Sequence, residues 1–211
     1  KTFDPSGLQE LGYGRAQNVV SAMEYERMAS RSGPTEGVVN RPSDGENPRS
    51  IAWLQCIGSR DQERGYCSSI CCMYATKEAM LAKQRLGEDL NCTVFMMEER
   101  AFNKEYSAYF AKARDSHGIR YENCRVSSIQ EDPATGDLIL HYATPDGRLQ
   151  NERYEMVVLA TGLGPPDSAA HFTKMLDLDL NEYGFCETHK FTPLQTTHSG
   201  VFVCGAFSSP K

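Results

Sequence analysis

Apolar and polar positions along the chain form blocks that predict strands and helices in turn. A continuous apolar run at 50–58 (SIAWLQCIG) predicts a strand buried on both faces, because a half-exposed strand would alternate apolar with polar residues. The next blocks have either the period of an amphipathic helix or the short apolar runs of strands. In order, they predict a helix over 73–87, a strand over 92–99 and a helix over 103–118, preceded by a helix that Asn18 caps and that runs to about Ser30.

Three further apolar runs predict a strand-rich insertion. They lie at 119–131, 137–144 and 153–162, and the tripeptide Pro-Asp-Gly at 145–147 predicts a turn between the last two. An order of strand, helix, strand and helix, then an insertion and a closing apolar strand, is typical of a dinucleotide-binding domain. We therefore predict an α/β, Rossmann-like fold with an inserted β-meander.

Composition and charge narrow the class of protein. The 211 residues are 40% hydrophobic and 24% charged, which is typical of a globular chain, and the net charge of −6 argues against a nucleic-acid partner. No run approaches the roughly 18 apolar residues of a membrane span, and the first residues do not resemble a signal peptide. We therefore expect a cytoplasmic protein. Because the chain begins at Lys1 without a methionine, we also expect it to be a piece of a larger protein.

The turn after the strand at 50–58 carries cysteines where a phosphate-binding loop is expected. The fingerprint G-x-G-x-x-G, whose glycines let the backbone approach a pyrophosphate, is missing there. Cys56, Cys67, Cys71 and Cys72 form instead the run C-x10-C-x3-C-C, which holds half of the eight cysteines. In a reducing compartment such a run favours a metal or redox centre over disulfides.

Three interpretations of the cysteine run remain open. Zinc sites prefer paired C-x2-4-C knuckles, and the run contains only one such interval beside an adjacent pair. A 4Fe-4S cluster is larger, so adjacent cysteines with Cα atoms ~3.8 Å apart can reach different corners of it. The third interpretation is that these are small buried residues without a ligand role. We favour the cluster over zinc, and both over structural cysteines.

Motifs along nearly the whole chain resemble a known family. They are QCIGSRD and YCSSICCMYATKEA, with EYERMASRSGPTEG and RPSDG before them and ATGLGPP and GVFVCGAF after them. Together they look like the flavin-bearing A subunit of heterodisulfide reductase and its soluble relatives. The resemblance implies an FAD-binding core of the thioredoxin-reductase type, in which a 4Fe-4S cluster takes the place of NADPH. In that family the cluster ligands match Cys56, Cys67, Cys71 and Cys72.

The resemblance also implies a set of cofactor-binding residues. They are Glu26, Lys77, Gly162 and Gly205. A cation at Lys77 would favour a reduced, anionic flavin. The alternative is that Glu26 and Lys77 are ordinary charges on helix surfaces. Related flavoproteins commonly carry Asp after the last glycine, where it contacts the flavin, whereas this chain has Ala206, so that contact is not expected here. No residue is assigned a catalytic role.

The same resemblance divides the chain into three parts. Residues 1–50 are expected to be a partial FAD-domain segment and connector, 51–164 the Rossmann-like domain with the cysteines, and 165–211 a return segment to the FAD domain. The flanking pieces would form an incomplete FAD domain, because the family's FAD phosphate loop lies in a segment that this chain lacks. The isolated chain is therefore expected to be inactive.

The predicted function is that of an oxidoreductase subunit. The chain would pass electrons between FAD and a 4Fe-4S cluster, in a full-length homodimer that assembles with other heterodisulfide-reductase-type subunits and electron-donor proteins. The alternative is a zinc-bearing or metal-free nucleotide-fold module that organises partner subunits without redox activity.

Two further expectations concern residues outside the proposed site. Buried structural roles are expected for Cys92, Cys124, Cys186 and Cys204, and a solvated strand end for Glu98 and Glu99.

Overall fold

The structure is a computed structural model that describes residues 1–100 and 102–210. The chain divides into two compact units. The larger unit consists of Asp4–Ile57 and Cys71–Thr161, and the smaller unit consists of Lys1–Phe3, Gly58–Ile70 and Gly162–Lys211. None of the described helices is both long enough and apolar enough to cross a membrane.

The larger unit is built on a parallel sheet with the strand order β1-β8-β2-β3-β4. Its strands are β1 (Val19–Ser21), β2 (Ser50–Ile57), β3 (Asn91–Met96), β4 (Arg120–Asn123) and β8 (Met156–Thr161). Its helices are α1 (Ala22–Ala29), α2 (Cys71–Leu86) and α3 (Tyr106–His117). α1 contacts β1 and β8, while α2 contacts β2, β3 and β8. Every residue of β8 is buried, as expected for a central strand of a parallel sheet.

A second sheet of three antiparallel strands is inserted between β4 and β8. Its strands are β5 (Val126–Glu131), β6 (Leu138–Ala143) and β7 (Leu149–Tyr154), in the order β5-β6-β7. The Pro-Asp-Gly segment forms the turn between β6 and β7, in which the Gly147 N–H donates to the Thr144 carbonyl at 2.8 Å. The predictions of an α/β, Rossmann-like sheet and an inserted β-meander are thus confirmed.

Two predicted strands are wrong in extent. The run at 119–131 contains both β4 and β5, and the run at 153–162 contains the end of β7 and all of β8. Two residues between β4 and β5, and one residue between β7 and β8, carry the chain from one sheet to the other. An apolar pattern reports burial, not the sheet to which a residue belongs, so it cannot mark this change.

The predicted helix cap at Asn18 is also wrong. β1 follows Asn18, and α1 begins only after Ser21, which forms a reciprocal capping box with Glu24. Asn18 is fully buried and links loops instead. Its Oδ1 accepts from the Ser43 N–H at 3.1 Å, and its Nδ2 donates to the Gly136 carbonyl at 3.2 Å.

The smaller unit has less regular structure. It contains helix α4 (Ala169–Leu176), a turn of 3-10 helix at Gly205–Phe207 and isolated bridges such as Thr2 with Leu163. Tyr66 packs edge-on against Tyr183 and Phe185, with ring centroids 4.9 and 5.4 Å away. These contacts anchor the polar loop that precedes Cys67.

Candidate functional site

The candidate site of the larger unit lies where β2 and β8 end side by side. From β2 the chain proceeds to β3 and β4 on one side, whereas β8 and β1 lie on the other side. The neighbouring strands β2 and β8 therefore form a topological switch point, and ligands of open α/β sheets bind outside the carboxyl ends of the strands at such points. The cysteine run leaves β2 at this place. The geometry of the larger unit thus agrees with a ligand-binding role for the end of β2 and the start of α2.

Cys56 occupies an irregular position at the end of β2. Leu54 pairs with Leu159 and Ile57 with Thr161, so three residue steps on β2 face two on β8. The extra residue is accommodated by a bulge, and Cys56 has a φ of 62°, a conformation that costs energy for a residue with a side chain. Such local strain is typical of functional sites.

Cys71 and Cys72 are the first two residues of α2, which begins two residues before the predicted helix. The positive end of a helix dipole favours anionic groups such as thiolates. The Cys71 Sγ donates to the Thr161 carbonyl at 3.8 Å, and the Gln55 Nε2 donates to the Cys71 carbonyl at 3.3 Å. Cys71 is therefore tied to the ends of both β2 and β8.

The surroundings of Cys72 and Cys67 differ. Cys72 belongs to a buried apolar cluster with Met96 and Phe110 in the larger unit. Cys67 lies in the smaller unit, where its Sγ accepts from the Ser69 N–H at 3.3 Å. Among the described residues, no group of three or more His, Cys, Asp or Glu side chains is arranged to hold a metal ion. The assignment of the four cysteines as ligands stays a prediction.

Glu26 and Lys77 meet in the structure. The Lys77 Nζ lies 2.6 Å from the Glu26 Oε1, and both side chains are partly exposed. An ion pair with this exposure contributes at most about 1 kcal/mol to stability. The contact also means that the charge of Lys77 is balanced by Glu26 in this structure.

Gly162 and Gly205 have different local roles in the smaller unit. A Cβ on Gly162 would lie 2.4 Å from the Ser68 Oγ, and that same Oγ accepts from the Leu163 N–H at 2.9 Å. Gly162 is thus required for close packing against the cysteine loop. Gly205 has open space around it, but its φ of 67° favours glycine. Local structure therefore explains why each position carries glycine, and the cofactor roles of both residues stay predictions.

The other predicted residues divide by exposure. Cys92, Cys124 and Cys186 are buried, as expected, and burial raises the pKa of Cys92 and of Cys124 to about 12, which keeps them as neutral thiols. Cys204 is exposed, so the expectation of a buried structural cysteine is wrong there, because it lies among exposed residues near the end of the chain. Glu98 and Glu99 are exposed beyond the end of β3, which confirms a solvated strand end.

Sequence reasoning missed a buried polar group on α2. Glu78 is 1% exposed, and its Oε2 accepts from the Trp53 Nε1 at 2.9 Å. Burial raises the pKa of Glu78 to about 8, with a smaller contribution from Glu26. A signal was present, because Glu78 lies on the same helical face as the buried Ala75 and Ala82. A charged residue inside an apolar stripe marks either a partner or a shifted pKa.

The fold and the sequence together define the class of protein. Residues 65–211 match the pyridine nucleotide-disulphide oxidoreductase family. The chain belongs to this family, and the prediction of an oxidoreductase is confirmed at that level. A solved structure of LpdA from Mycobacterium tuberculosis is 13% identical, with a TM-score of 0.48 over 78% of this chain and 31% of its own. The assignment rests on the family match and the sheet topology.

More specific similarity comes from two curated relatives. The iron-sulfur A subunit numbered 2 of CoB--CoM heterodisulfide reductase in Methanopyrus kandleri is 41% identical over 100% of this chain and 33% of its own length. The A subunit of H(2):CoB-CoM heterodisulfide,ferredoxin reductase in Methanothermobacter thermautotrophicus is 38% identical over 99% of this chain and 32% of its own. The predicted resemblance is confirmed. The chain spans about a third of the length of these relatives.

Proposed function

We propose that this chain is the cysteine-bearing segment of a flavin and iron-sulfur oxidoreductase of the heterodisulfide reductase A type. In the full-length protein it would pass electrons between FAD and a 4Fe-4S cluster. The observation that carries the proposal is the run C-x10-C-x3-C-C at the switch point of the sheet, in a chain 41% identical to a subunit named for iron and sulfur.

The donor set suits a cluster in number and kind. We assign Cys56, Cys67, Cys71 and Cys72 as the ligands, since 4Fe-4S clusters are held by four thiolates. The backbone N–H of Ser69 that points at the Cys67 Sγ is the type of hydrogen bond that tunes the potential of a cluster. When bound, the cluster would supply one-electron transfer, and the work of this chain is to hold and orient it.

The remaining assignments concern the flavin and the partners. We propose that Lys77 and Glu26 line the flavin side, where separation of their ion pair would leave a cation to favour the reduced flavin. Gly162 and Gly205 would let the backbone approach the cofactor. Residues 1–50 and 165–211 would flank the Rossmann-like domain as parts of an FAD domain, although the compact units divide the chain at other places. The full-length protein would be a homodimer that binds other heterodisulfide-reductase-type subunits and electron-donor proteins.

Anaerobic reconstitution with iron and sulfide tests the cluster. We expect about four irons per chain and a broad visible absorption that dithionite bleaches, as for cubane clusters. The double variant Cys71→Ser/Cys72→Ser should lose this absorption. The variant Cys204→Ser is the matched control, because that thiol is exposed and is no proposed ligand; it should retain the iron.

Two results would contradict the proposal. Full iron incorporation in Cys71→Ser/Cys72→Ser would exclude the ligand assignment. Stoichiometric zinc without colour in protein purified under anaerobic conditions would favour the zinc-bearing module that organises partner subunits.

A further inference from the structure

The buried face of α2 carries a line of polar groups that starts at the cysteines. Tyr74 follows Cys71 by three residues and Glu78 follows it by seven, so all three lie on one face of the helix. The Cys71 Sγ and the Tyr74 Oη both donate to the Thr161 carbonyl, at 3.8 and 2.7 Å. Glu78 lies two turns further, about 10 Å along the axis from Cys71 at 1.5 Å per residue. A buried acid thus shares a helix face with the proposed redox site.

The surroundings of Glu78 suit a neutral carboxyl group. Its Oε2 accepts from Trp53, but its Oε1 is buried without a hydrogen-bond partner. A buried carboxylate needs several donors or a cation, and the nearby ammonium of Lys77 is 2.6 Å from Glu26 instead. A protonated carboxyl, with one oxygen accepting from Trp53 and the other donating, needs only one further acceptor.

Tyr25 adds a second buried group without a partner. It is 1% exposed, its hydroxyl has no hydrogen-bond partner, and its ring packs edge-on to Trp53 with centroids 5.7 Å apart. After burial, Glu78 is the largest cause that raises the pKa of Tyr25, so the two groups are close enough to interact. One water molecule placed between two such groups satisfies both, which is the usual role of buried water.

We propose that Glu78, the Tyr25 hydroxyl and one buried water molecule form a proton-holding site, which exchanges a proton with solvent when the charge at the Cys71 end of α2 changes. The second half of this proposal rests on the proposed redox function. An electron from an external reductant would make the Cys71 end of α2 more negative, which favours the protonated form of Glu78. The fraction of Glu78 that is ionised at the working pH would then take up a proton from solvent, with one O–H bond formed and no other bond broken.

The charged and titratable groups around this site come from three elements. They are Tyr25 and Glu26 on α1, Tyr74, Lys77 and Arg85 on α2, and Cys92 on β3. Glu26 raises the pKa of Glu78 and Lys77 lowers it, so the two members of this ion pair oppose each other. Burial is the largest cause, and it raises the pKa. With a pKa of about 8, Glu78 holds its proton about tenfold in excess at pH 7.

The proton can be observed without any cofactor. In the full chain with carbon-13 in its glutamate carboxyl groups, the resonance missing from Glu78→Gln identifies Glu78. We expect its titration midpoint near pH 8. The variant Tyr25→Phe should move the midpoint upwards, because the carboxylate loses a donor that reaches it through the water. A midpoint near the ordinary 4.5 would overturn the proton-holding site, and an unchanged midpoint in Tyr25→Phe would overturn the water bridge.

The coupling is tested in the iron-loaded chain by redox titration at pH 7 and pH 9. The potential of the unaltered protein should become more negative at pH 9, whereas that of Glu78→Gln should shift less. Glu63→Gln, at a side chain that is 81% exposed, is the control and should behave like the unaltered protein. An equal shift in Glu78→Gln would overturn the coupling. Failure to take up iron would overturn the proposed function instead and leave the carbon-13 result standing.

Discussion

The two compact units differ in how they bury their apolar side chains. In the larger unit, Trp53 and Leu159 are completely buried within and around the parallel sheet. In the smaller unit, Phe191 is 89% exposed and Phe202 is 67% exposed. Burial of Trp53 and Leu159 therefore contributes to the folding free energy of the larger unit, whereas Phe191 and Phe202 contribute little to that of the smaller unit.

The units also differ in how they treat charge. The larger unit buries the carboxyl group of Glu78, while charged side chains of the smaller unit such as Glu63 and Asp167 are more than four-fifths exposed. A buried titratable group with a shifted pKa makes stability depend on pH. Glu78 should therefore make the stability of the larger unit depend on pH, whereas exposed carboxylates such as Glu63 and Asp167 should contribute little.

The largest expected effect is the pH dependence contributed by Glu78. Its pKa is raised to about 8 in the folded state from an ordinary 4.5, so the folded state binds the proton more tightly. Its stabilising contribution is complete below about pH 4.5 and is lost as the pH rises to about 8. The loss amounts to at most about 5 kcal/mol at 1.36 kcal/mol per unit.

Denaturant unfolding at several pH values, followed by hydrogen exchange in each unit, measures this effect. Glu78→Gln should flatten the curve for the larger unit, whereas Glu63→Gln should leave it unchanged. A curve that keeps its slope in Glu78→Gln would show that another group is responsible.

The next effect compares two large apolar side chains. Leu159→Ala removes a completely buried side chain from β8 and should lower the free energy of unfolding by about 2–5 kcal/mol. Phe191→Ala removes a larger side chain, but one that is 89% exposed, and should change stability by less than about 0.5 kcal/mol. Equal losses in chemical denaturation would refute the contrast between the units.

The same contrast explains how much could be predicted from the sequence. Continuous apolar runs and helical periods predict the larger unit well, because burial on both faces of a parallel sheet leaves a local trace at β2 and β8. The capping box at Ser21 and Glu24 was missed because Asn18, three residues earlier, is an equally good cap by residue type. Hydrogen bonds from Asn18 to residues distant in sequence hold it in a loop, so that Ser21 is the cap instead. Such long-range contacts cannot be recognised from the residues around Asn18.

The candidate site was predictable in position but not in detail. The missing glycine fingerprint and the clustered thiols locate it at the turn after β2. The left-handed backbone at Cys56 and the partnerless Glu78 Oε1 depend on neighbours far along the chain. The smaller unit was the least predictable part, because contacts such as that of Phe3 with Gly58 join residues that are distant in sequence.

A moderate effect is expected at glycines with a left-handed backbone. A Cβ on Gly58 would lie 2.0 Å from the Phe3 ring, and its φ is 71°. Gly147 in the larger unit has a φ of 83° but no atom within 4 Å. Gly147→Ala should therefore cost only the backbone strain of about 1 kcal/mol, and Gly58→Ala about 2–3 kcal/mol, since Phe3 must also move from beneath Arg64.

Hydrogen exchange in the smaller unit distinguishes these contributions. Gly58→Ala should accelerate exchange at Gly164, whose N–H donates to the Lys1 carbonyl at 2.7 Å, while Gly147→Ala should leave it unchanged. Equal costs for both substitutions would show that the Phe3 contact adds nothing to the strain.

The smallest effect compares two serines at helix N termini. Ser21 caps α1 in the larger unit: its Oγ accepts from the Glu24 N–H at 3.3 Å, and the Glu24 Oε2 accepts from the Ser21 N–H at 2.7 Å. Ser168 precedes α4 in the smaller unit and makes no side-chain cap hydrogen bond. Ser21→Ala should therefore lower the free energy of unfolding by about 1 kcal/mol, whereas Ser168→Ala should change it by no more than a few tenths. Both substitutions remove the same hydroxyl group from the same helix position, so the difference between their denaturation midpoints isolates the capping box. A loss in Ser168→Ala as large as that in Ser21→Ala would mean that the smaller unit also depends on its helix cap.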